Sequence, residues 1–353
     1  MSIGRNDWII RMIAGGIVCA VSLCGCELLS SGNSKADQGM ELIGEQDYAG
    51  ALSDFDAAIS EGEDIRQAYR GKGIALMGQG RYEEAVEALE KALKSSNGLV
   101  KKIDYDINYY LAMAEFKNGN PDRALEIYNA ILDLDDKQAQ AYYLRGNVEL
   151  NMSDREAALN DFNRAVELKD NDYDLYICIY EALAAAGYKS DGEAYINRAL
   201  EKNGKMTDYQ SGLFSYYLGN YDDARNSLEK AREKNETAQL VLYLGRSYAA
   251  LGDLNYAATL YTEYLGKKPD AAVYNELGLI YLKQKDYDNA LLSFGNGKEL
   301  NDPAYLQSLM FNEAVAYEYK LDFKTAAGLM KEYLDKYPAD ENAQREYVFL
   351  STR

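Results

Sequence analysis

The chain of 353 residues contains no histidine. Histidine is the commonest general base and a frequent metal ligand, so its absence excludes Ser-His-Asp catalysis, Cys-His catalysis and zinc sites of the HExxH type. Ser227 and Lys230 have the Ser-x-x-Lys spacing of some hydrolases, but they lie on a predicted repeat helix without companion motifs. We therefore predict a protein that is not an enzyme, with no catalytic residue, no metal site, no cofactor and no small-molecule substrate.

Positive charge is also scarce. The chain has 38 Lys and Arg residues against 57 Asp and Glu residues, which gives a formal net charge of −19. Nucleic-acid binding depends on Lys and Arg contacts to phosphate, so we predict no nucleic-acid partner. Anionic lipid head groups would repel the same charge, which favours a folded part that stands off a bilayer surface.

What the chain does have is a period. A small residue recurs at intervals of 32 to 39 residues along most of its length, and we call these nine positions the anchors. A regular period of this length indicates stacked copies of one supersecondary unit. The anchors are Ala51, Ala85, Ala124, Ala158, Gly192, Ala224, Ala257, Ala290 and Ala326.

The residues around each anchor follow a helical pattern. At Ala85, Gly73 lies twelve residues earlier, Tyr82 three residues earlier and Leu89 four residues later. Spacings of three and four place side chains on one face of a helix. Gly or polar pairs break each unit about halfway, as in Gly119-Asn120-Pro121, where Gly suits the end of one helix and Pro the start of the next. Each unit is predicted to be two antiparallel helices.

Small residues explain how these two helices can touch. Gly or Ala on the first helix, facing the anchor on the second, allows the backbones to approach closely. The large residue four positions after the anchor would then fill the gap to the neighbouring pair of helices. At Gly192 the pattern is reversed, because Tyr180 occupies the first-helix position. A bulky residue there faces a missing side chain, which keeps the packed volume constant.

These motifs resemble the tetratricopeptide repeat family. The strongest match is Val241-Leu244-Gly245-Tyr248-Gly252-Leu254-Ala257-Tyr261-Pro269, and the resemblance covers about residues 32–340. It implies an all-α fold, a right-handed α-α superhelix of about nine helix-turn-helix repeats. Residues 341–353 are expected to cap the last repeat.

The first residues have the pattern of a bacterial lipoprotein leader. Arg5 and Arg11 precede an uncharged run from Met12 to Leu23, which is too short for a membrane span and suits a signal peptide. Residues 23–26 resemble a lipobox. We predict a signal peptide at 1–25, acylation of Cys26 with diacylglycerol and palmitate, and a short polar tether at 26–38. Two or three acyl chains would anchor the protein to a membrane far more stably than one.

Removal of residues 1–25 would change the formal net charge from −19 to −20. It would also remove Cys19 and Cys24, and acylation would occupy Cys26. Cys178 would then be the one remaining cysteine. We predict that it is a buried thiol and that the chain forms no intramolecular disulfide.

Two acidic stretches leave a weak alternative open. Asp104, Asp106 and Asn108 are followed by Glu115 at the spacing of a calcium loop, and residues 170–181 repeat that spacing. Both stretches lack the Gly that such a loop needs. Both also run into a predicted first helix, where acidic residues complement the helix dipole.

The resemblance implies that first helices line a concave groove that binds extended peptides. Tyrosine is common at interfaces, and several first helices place it at groove-facing offsets. The candidate groove residues are Arg70, Met77, Tyr109, Met113, Phe116, Tyr143, Asn147, Tyr209, Tyr216, Tyr217 and Arg246. The same tyrosines could instead pack between repeats.

These observations favour a scaffold that binds proteins or peptides and is lipid-anchored on the extracytoplasmic side of a membrane in a bacterial cell envelope. The alternative is an adaptor or regulatory subunit of an envelope enzyme, such as a peptidoglycan hydrolase or synthase. The sequence does not identify the partner.

Overall fold

The computed structural model describes residues 34–95, 101–202 and 204–353, and every regular element in these ranges is an α-helix. The predicted signal peptide and Cys26 lie outside the described residues. Helix α1 begins at Lys35, so the last residues of the predicted tether are helical. The chain divides into two compact units, one ending at Tyr195 and the other beginning at Ile196.

The amino-terminal unit consists of successive helical hairpins. Its helices are α1 (Lys35–Gly44), α2 (Tyr48–Glu61), α3 (Ile65–Gly78), α4 (Tyr82–Lys94), α5 (Lys102–Lys117), α6 (Pro121–Leu134), α7 (Ala139–Asn151), α8 (Arg155–Leu168) and α9 (Tyr173–Ala185). Helix α10 (Lys189–Leu200) contains the boundary between the units.

The carboxy-terminal unit continues with the same kind of hairpin and ends in a single helix. Its helices are α11 (Asp208–Tyr217), α12 (Tyr221–Lys234), α13 (Ala238–Ala250), α14 (Leu254–Leu265), α15 (Ala271–Lys283), α16 (Tyr287–Glu299), α17 (Leu306–Tyr319), α18 (Phe323–Lys336) and α19 (Glu341–Ser351). In α19, Ala343 and Leu350 are buried and pack with Met330 and Tyr333 of α18.

The anchors lie at the centre of each hairpin. All eight alanine anchors are 0% exposed, and Gly192 is buried. Each anchor belongs to the second helix of its hairpin, as in α4 for Ala85 and α16 for Ala290. The predicted all-α fold of helix-turn-helix repeats is therefore confirmed. The division of the chain into leader, tether, repeats and cap stays a prediction.

In the six hairpins that have a glycine twelve residues before the anchor, the contact that closes the hairpin lies between this glycine and the large residue four positions after the anchor. A Cβ atom on Gly39 would lie 2.8 Å from Cζ of Phe55, and one on Gly73 would lie 2.6 Å from Cγ of Leu89. Phe55 also contacts Gly71 in the next hairpin. The large residue thus fills space in its own hairpin, which the sequence pattern did not predict, as well as toward the neighbour.

The exchange of bulk at the fifth repeat is confirmed. A Cβ atom on Gly192 would lie 3.0 Å from Cδ2 of Tyr180 and 3.1 Å from its carbonyl oxygen. The tyrosine ring therefore occupies the space that the alanine anchor fills in other repeats. Volume conserved in this way preserves the packing of the two helices.

The turns between paired helices share one backbone conformation. The residue five positions before the anchor has a positive φ in every hairpin, for example +89° at Gly252 and +65° at Leu321. Glycine adopts this conformation without strain, whereas a leucine does so at a cost. The next residue often caps the second helix. Asp253 is one such cap, and its Oδ1 accepts a hydrogen bond from the Tyr256 amide at 3.0 Å.

Cys178 on α9 is buried, as predicted. The other three cysteines lie outside the described residues, and the prediction that the chain forms no intramolecular disulfide falls on them and stays a prediction.

We expect the close hairpin contact to control stability at Gly278 of α15. A Cβ atom there would lie 2.6 Å from Cζ of Phe294, so Gly278→Ala should destabilise the protein by about 1–3 kcal/mol. Gly295, on α16 of the same hairpin, has no neighbouring atom within 4 Å of a Cβ position. Gly295→Ala should stabilise by about 0.5–1 kcal/mol through helix propensity. Urea unfolding measures both, and two changes of the same sign would contradict the packing described.

Candidate functional site

All eleven candidate groove residues lie on first helices, but they divide between the two units. Seven are on α3, α5 and α7 of the amino-terminal unit, and four are on α11 and α13 of the carboxy-terminal unit. The candidate residues therefore form two first-helix surfaces, one in each unit.

In the amino-terminal unit, the candidate tyrosines are largely buried. Tyr109 and Tyr143 are each 5% exposed. The Tyr109 hydroxyl donates to Oε1 of Gln138 at 3.1 Å, and the Tyr143 ring lies 5.9 Å from that of Phe162. Burial raises the pKa of Tyr143 to about 12, so its hydroxyl stays protonated at neutral pH. These two tyrosines mainly pack between helices.

Other side chains of the same surface stay partly accessible. Met77, Met113, Phe116 and Asn147 are half-buried. The methionines and Phe116 present apolar surface, while the Asn147 side chain donates to the Tyr143 carbonyl within its own helix at 2.9 Å. Flexible methionines beside an aromatic ring suit contact with another protein, because such side chains adapt to partners of different shape.

Arg70 joins two neighbouring first helices. It forms an ion pair with Asp106 of α5, and its guanidinium lies 5.5 Å from the centroid of the Tyr110 ring. Arg70 is thus engaged with the next repeat. Cation–π contact of this kind contributes about 0.5–1 kcal/mol at partly exposed sites.

The acidic stretch at 104–115 lies on helix α5 and does not have the arrangement of a calcium loop. Asp104 pairs with Arg66 and also accepts a hydrogen bond from the Lys101 amide at 2.7 Å. Asp106 pairs with Arg70, and Glu115 accepts from Nδ2 of Asn120 at 2.8 Å. These acids lie along a helix and have protein partners. Within the described ranges, no group of three or more His, Cys, Asp or Glu residues is arranged to hold a metal ion.

In the carboxy-terminal unit, tyrosines form an edge-to-face cluster. The ring centroid of Tyr216 lies 5.8 Å from that of Tyr217, 5.6 Å from Tyr221 and 5.1 Å from Tyr243. The hydroxyl oxygens of Tyr217 and Tyr243 are 2.7 Å apart in a buried hydrogen bond. Contacts of this geometry stabilise aromatic pairs beyond the area they bury. The cluster fixes α11 against α13.

Arg246 connects this cluster to the following repeat. Its Nε and Nη2 atoms donate to Oε1 of Glu276 on α15 at 3.1 and 2.6 Å, and its guanidinium lies 5.5 Å from the Tyr243 centroid. Between the next two first helices, α15 and α17, Nδ2 of Asn312 donates to Oδ1 of Asn275 at 2.9 Å. Hydrogen bonds and ring contacts therefore link four successive first helices, α11, α13, α15 and α17.

Sequence reasoning missed one set of residues on these surfaces. Tyr110, Tyr243, Glu276 and Asn312 each lie fourteen positions before an anchor, and each contacts the first helix of the preceding repeat. A polar or aromatic residue at this offset is the signal that could have identified them, although Asp37 and Gln210 share it, while three other repeats have Gly, Leu or Cys there.

Each repeat is a pair of helices around a small anchor, and within each unit contacts join successive first helices. These features define an all-α helical-repeat protein suited to binding other proteins. Three models described as tetratricopeptide repeat match the chain, and together they span residues 36–172 and 209–297. The chain belongs to the tetratricopeptide repeat family.

Proteins similar to this chain come from distant organisms. A TPR repeat-containing protein of Methanocaldococcus jannaschii is 24% identical over 348 residues, which cover 93% of this chain and 56% of that protein. DnaJ homolog subfamily C member 7 of Homo sapiens is 23% identical over 331 residues, which cover 82% of this chain and 66% of that protein. The chain thus spans less than two thirds of either relative.

Among solved structures, yeast Tom70 aligns with a TM-score of 0.55 at 16% identity, covering 90% of this chain and 80% of that one. At this identity the likeness concerns the fold alone. Within the described residues, no helix is both long enough and apolar enough to cross a bilayer.

We expect the Arg246–Glu276 pair to couple two repeats. Arg246→Met leaves the Glu276 carboxylate, whose side chain is 11% exposed, without its cation. The expected loss of stability is about 1–3 kcal/mol, because a poorly solvated charge loses its partner. Adding Glu276→Leu should recover most of that loss. Urea unfolding of the single and double variants measures this, and an unaltered midpoint in Arg246→Met would show that the pair contributes nothing.

Proposed function

We propose that this protein is a scaffold of a bacterial cell envelope that binds partner proteins or peptides along its first-helix surfaces. A diacylglyceryl group on Cys26 holds it on the extracytoplasmic side of a membrane. The protein has no catalytic residue and no cofactor, and its mature formal charge of −20 disfavours nucleic acid. The absence of histidine and the continuous run of helical hairpins support a binding function rather than catalysis.

The observation that carries the proposal is the difference between the two kinds of first-helix side chain. Tyr109 and Tyr143 of the amino-terminal unit are each 5% exposed and pack against Gln138 and Phe162. Met77, Met113, Phe116 and Asn147 lie on first helices of the same unit and remain partly accessible. A rigid floor that presents adaptable side chains is a suitable surface for a peptide, since little order is lost on binding.

The anchoring proposal depends on the order of features at the amino terminus. Two arginines, an uncharged run of twelve residues and a Leu-Cys-Gly-Cys sequence occur in the order of a lipoprotein leader. Two or more acyl chains would bind the membrane far more stably than one. Such an anchor would keep the acidic repeats next to the membrane without inserting them.

We expect a photo-crosslinking residue at Met113 or Phe116 to capture a defined partner in membranes of the native host. The same residue at Asn160, exposed on the outer side of α8, is the matched control and should capture much less. Equal capture at all three positions would contradict binding along the first helices. If the captured protein is an envelope enzyme, the scaffold acts as its adaptor.

The same experiment tests the anchor. Cys26→Ser should release the protein from the membrane fraction and abolish capture there, because no acyl chain can be attached. The wild-type protein purified from that fraction should also lack tryptophan emission, since Trp8 is the one tryptophan and would leave with the signal peptide. Retention of Cys26→Ser in the membrane fraction would contradict lipid anchoring. Binding along the first helices is tested separately, by the crosslinking comparison.

A further inference from the structure

One position of the repeat differs in two hairpins. The residue nine positions before the anchor is uncharged in seven of the nine hairpins and is a glutamate in the third and fourth, at Glu115 and Glu149. The uncharged residues are Leu42, Leu76, Leu183, Ser215, Tyr248, Tyr281 and Tyr317. A buried carboxyl at an otherwise uncharged position must be stabilised by a partner or must bind a proton.

Glu115 has such a partner. It is 8% exposed, and its Oε2 atom accepts a hydrogen bond of 2.8 Å from Nδ2 of Asn120, the N-cap residue of α6. The amide group thus satisfies the carboxylate in its charged form.

Glu149 lacks the equivalent partner. Asp154 occupies the position that Asn120 has in the third hairpin, four residues before the anchor. A carboxylate cannot donate a hydrogen bond, and Oδ1 of Asp154 already accepts from the Ala157 amide at 3.1 Å as the cap of α8. The side chain of Glu149 is 14% exposed, and its Oε2 atom is buried without a hydrogen-bond partner.

A second carboxyl from the facing helix lies against Glu149. Asp161 of α8 is 6% exposed and pairs with Arg145, the same guanidinium that Glu149 approaches. Arg145, one turn before Glu149 on α7, forms two short hydrogen bonds to Asp161, with Nε to Oδ2 at 2.6 Å and Nη2 to Oδ1 at 2.7 Å. The distance from Arg145 Nε to Oε1 of Glu149 is 3.9 Å. The guanidinium is therefore engaged mainly by Asp161.

The remaining neighbours add no second positive charge. The Arg145 guanidinium also donates to Oδ1 of Asn129 on α6 at 2.6 Å and lies 5.4 Å from the Tyr142 ring centroid. On α9, Glu181 acts on Tyr143, six residues before Glu149. The carboxyls of Glu149 and Asp161 thus share one guanidinium, and the Asp154 carboxylate adds a further negative charge that acts on Glu149.

We propose that Glu149 and Asp161 form a carboxyl pair in which Glu149 binds a proton, and that this proton makes the packing of α7 on α8 sensitive to pH. With the proton bound, Glu149 is neutral beside the Asp161 carboxylate, and the two helices are held together. When the proton leaves, two carboxylates face each other across the hairpin. Helix α7 also carries Tyr143 and Asn147, so the carboxyl pair lies beneath part of the first-helix surface.

Electrostatics support the geometry. Burial, followed by the charge of Asp161, raises the pKa of Glu149 to about 7, although Arg145 opposes the shift. A folded-state pKa above the unfolded value means that this contribution to stability is complete below the unfolded pKa of about 4.3. It is lost as the pH rises through about 7.

The test is thermal unfolding of the full chain between pH 5 and 8.5 for the wild type and three variants. Glu149→Gln mimics the protonated carboxyl, so its Tm should exceed that of the wild type by a margin that grows from pH 5 to pH 8.5 and reaches about 2–4 °C. Asp154→Asn restores the donor found in the third hairpin and keeps a good helix cap. It should move the wild-type transition to lower pH by about one unit.

Glu115→Gln is the matched control and should retain the wild-type pH dependence. Amide hydrogen exchange, compared at pH 5.5 and 8 after correction for intrinsic rates, should show faster opening of α7 and α8 at pH 8 in the wild type and not in Glu149→Gln. The proposal is overturned if the Tm difference between wild type and Glu149→Gln does not change with pH. It is also overturned if Asp154→Asn leaves the transition where it was, or if Glu115→Gln abolishes it.

Discussion

The structure depends on the close approach of two helices at a position where one of them has no side chain. In the hairpins at Gly39, Gly73 and Gly212, a single methyl group on the first helix would lie 2.6–2.8 Å from the residue four positions after the anchor. Because the anchors themselves are 0% exposed alanines, the second helix is equally restricted. These buried contacts fix the geometry of each hairpin independently of its surface residues.

This constraint leaves the outward side of the first helices free to vary. The carboxy-terminal unit uses it for a tyrosine cluster, an Arg246–Glu276 pair and an Asn275–Asn312 hydrogen bond, each linking one repeat to the next. The amino-terminal unit uses Arg70 with Asp106 and Tyr110. Other first-helix side chains, such as Met113 and Phe116, are only half-buried.

The fold could be predicted from sequence because its determinants are local and repeated. A small residue every 32 to 39 positions, flanked by Gly twelve residues earlier, is visible without knowing any contact. The contacts along the first-helix surfaces could not be predicted in the same way. Tyr243 and Glu276 share an offset but differ in chemistry, and each depends on a residue in the preceding repeat. Buried tyrosines such as Tyr109 and Tyr143 fit either a groove or a packing position, and their burial distinguishes the two.

The most direct test of the central constraint is a double-mutant cycle between Gly278 and Phe294. If a fixed volume between the paired helices controls the fold, Gly278→Ala and Phe294→Leu should compensate each other, as Tyr180 and Gly192 already do in the fifth repeat. Urea unfolding should then give a favourable coupling free energy of about 1 kcal/mol or more. Additive losses in the double variant would contradict the account.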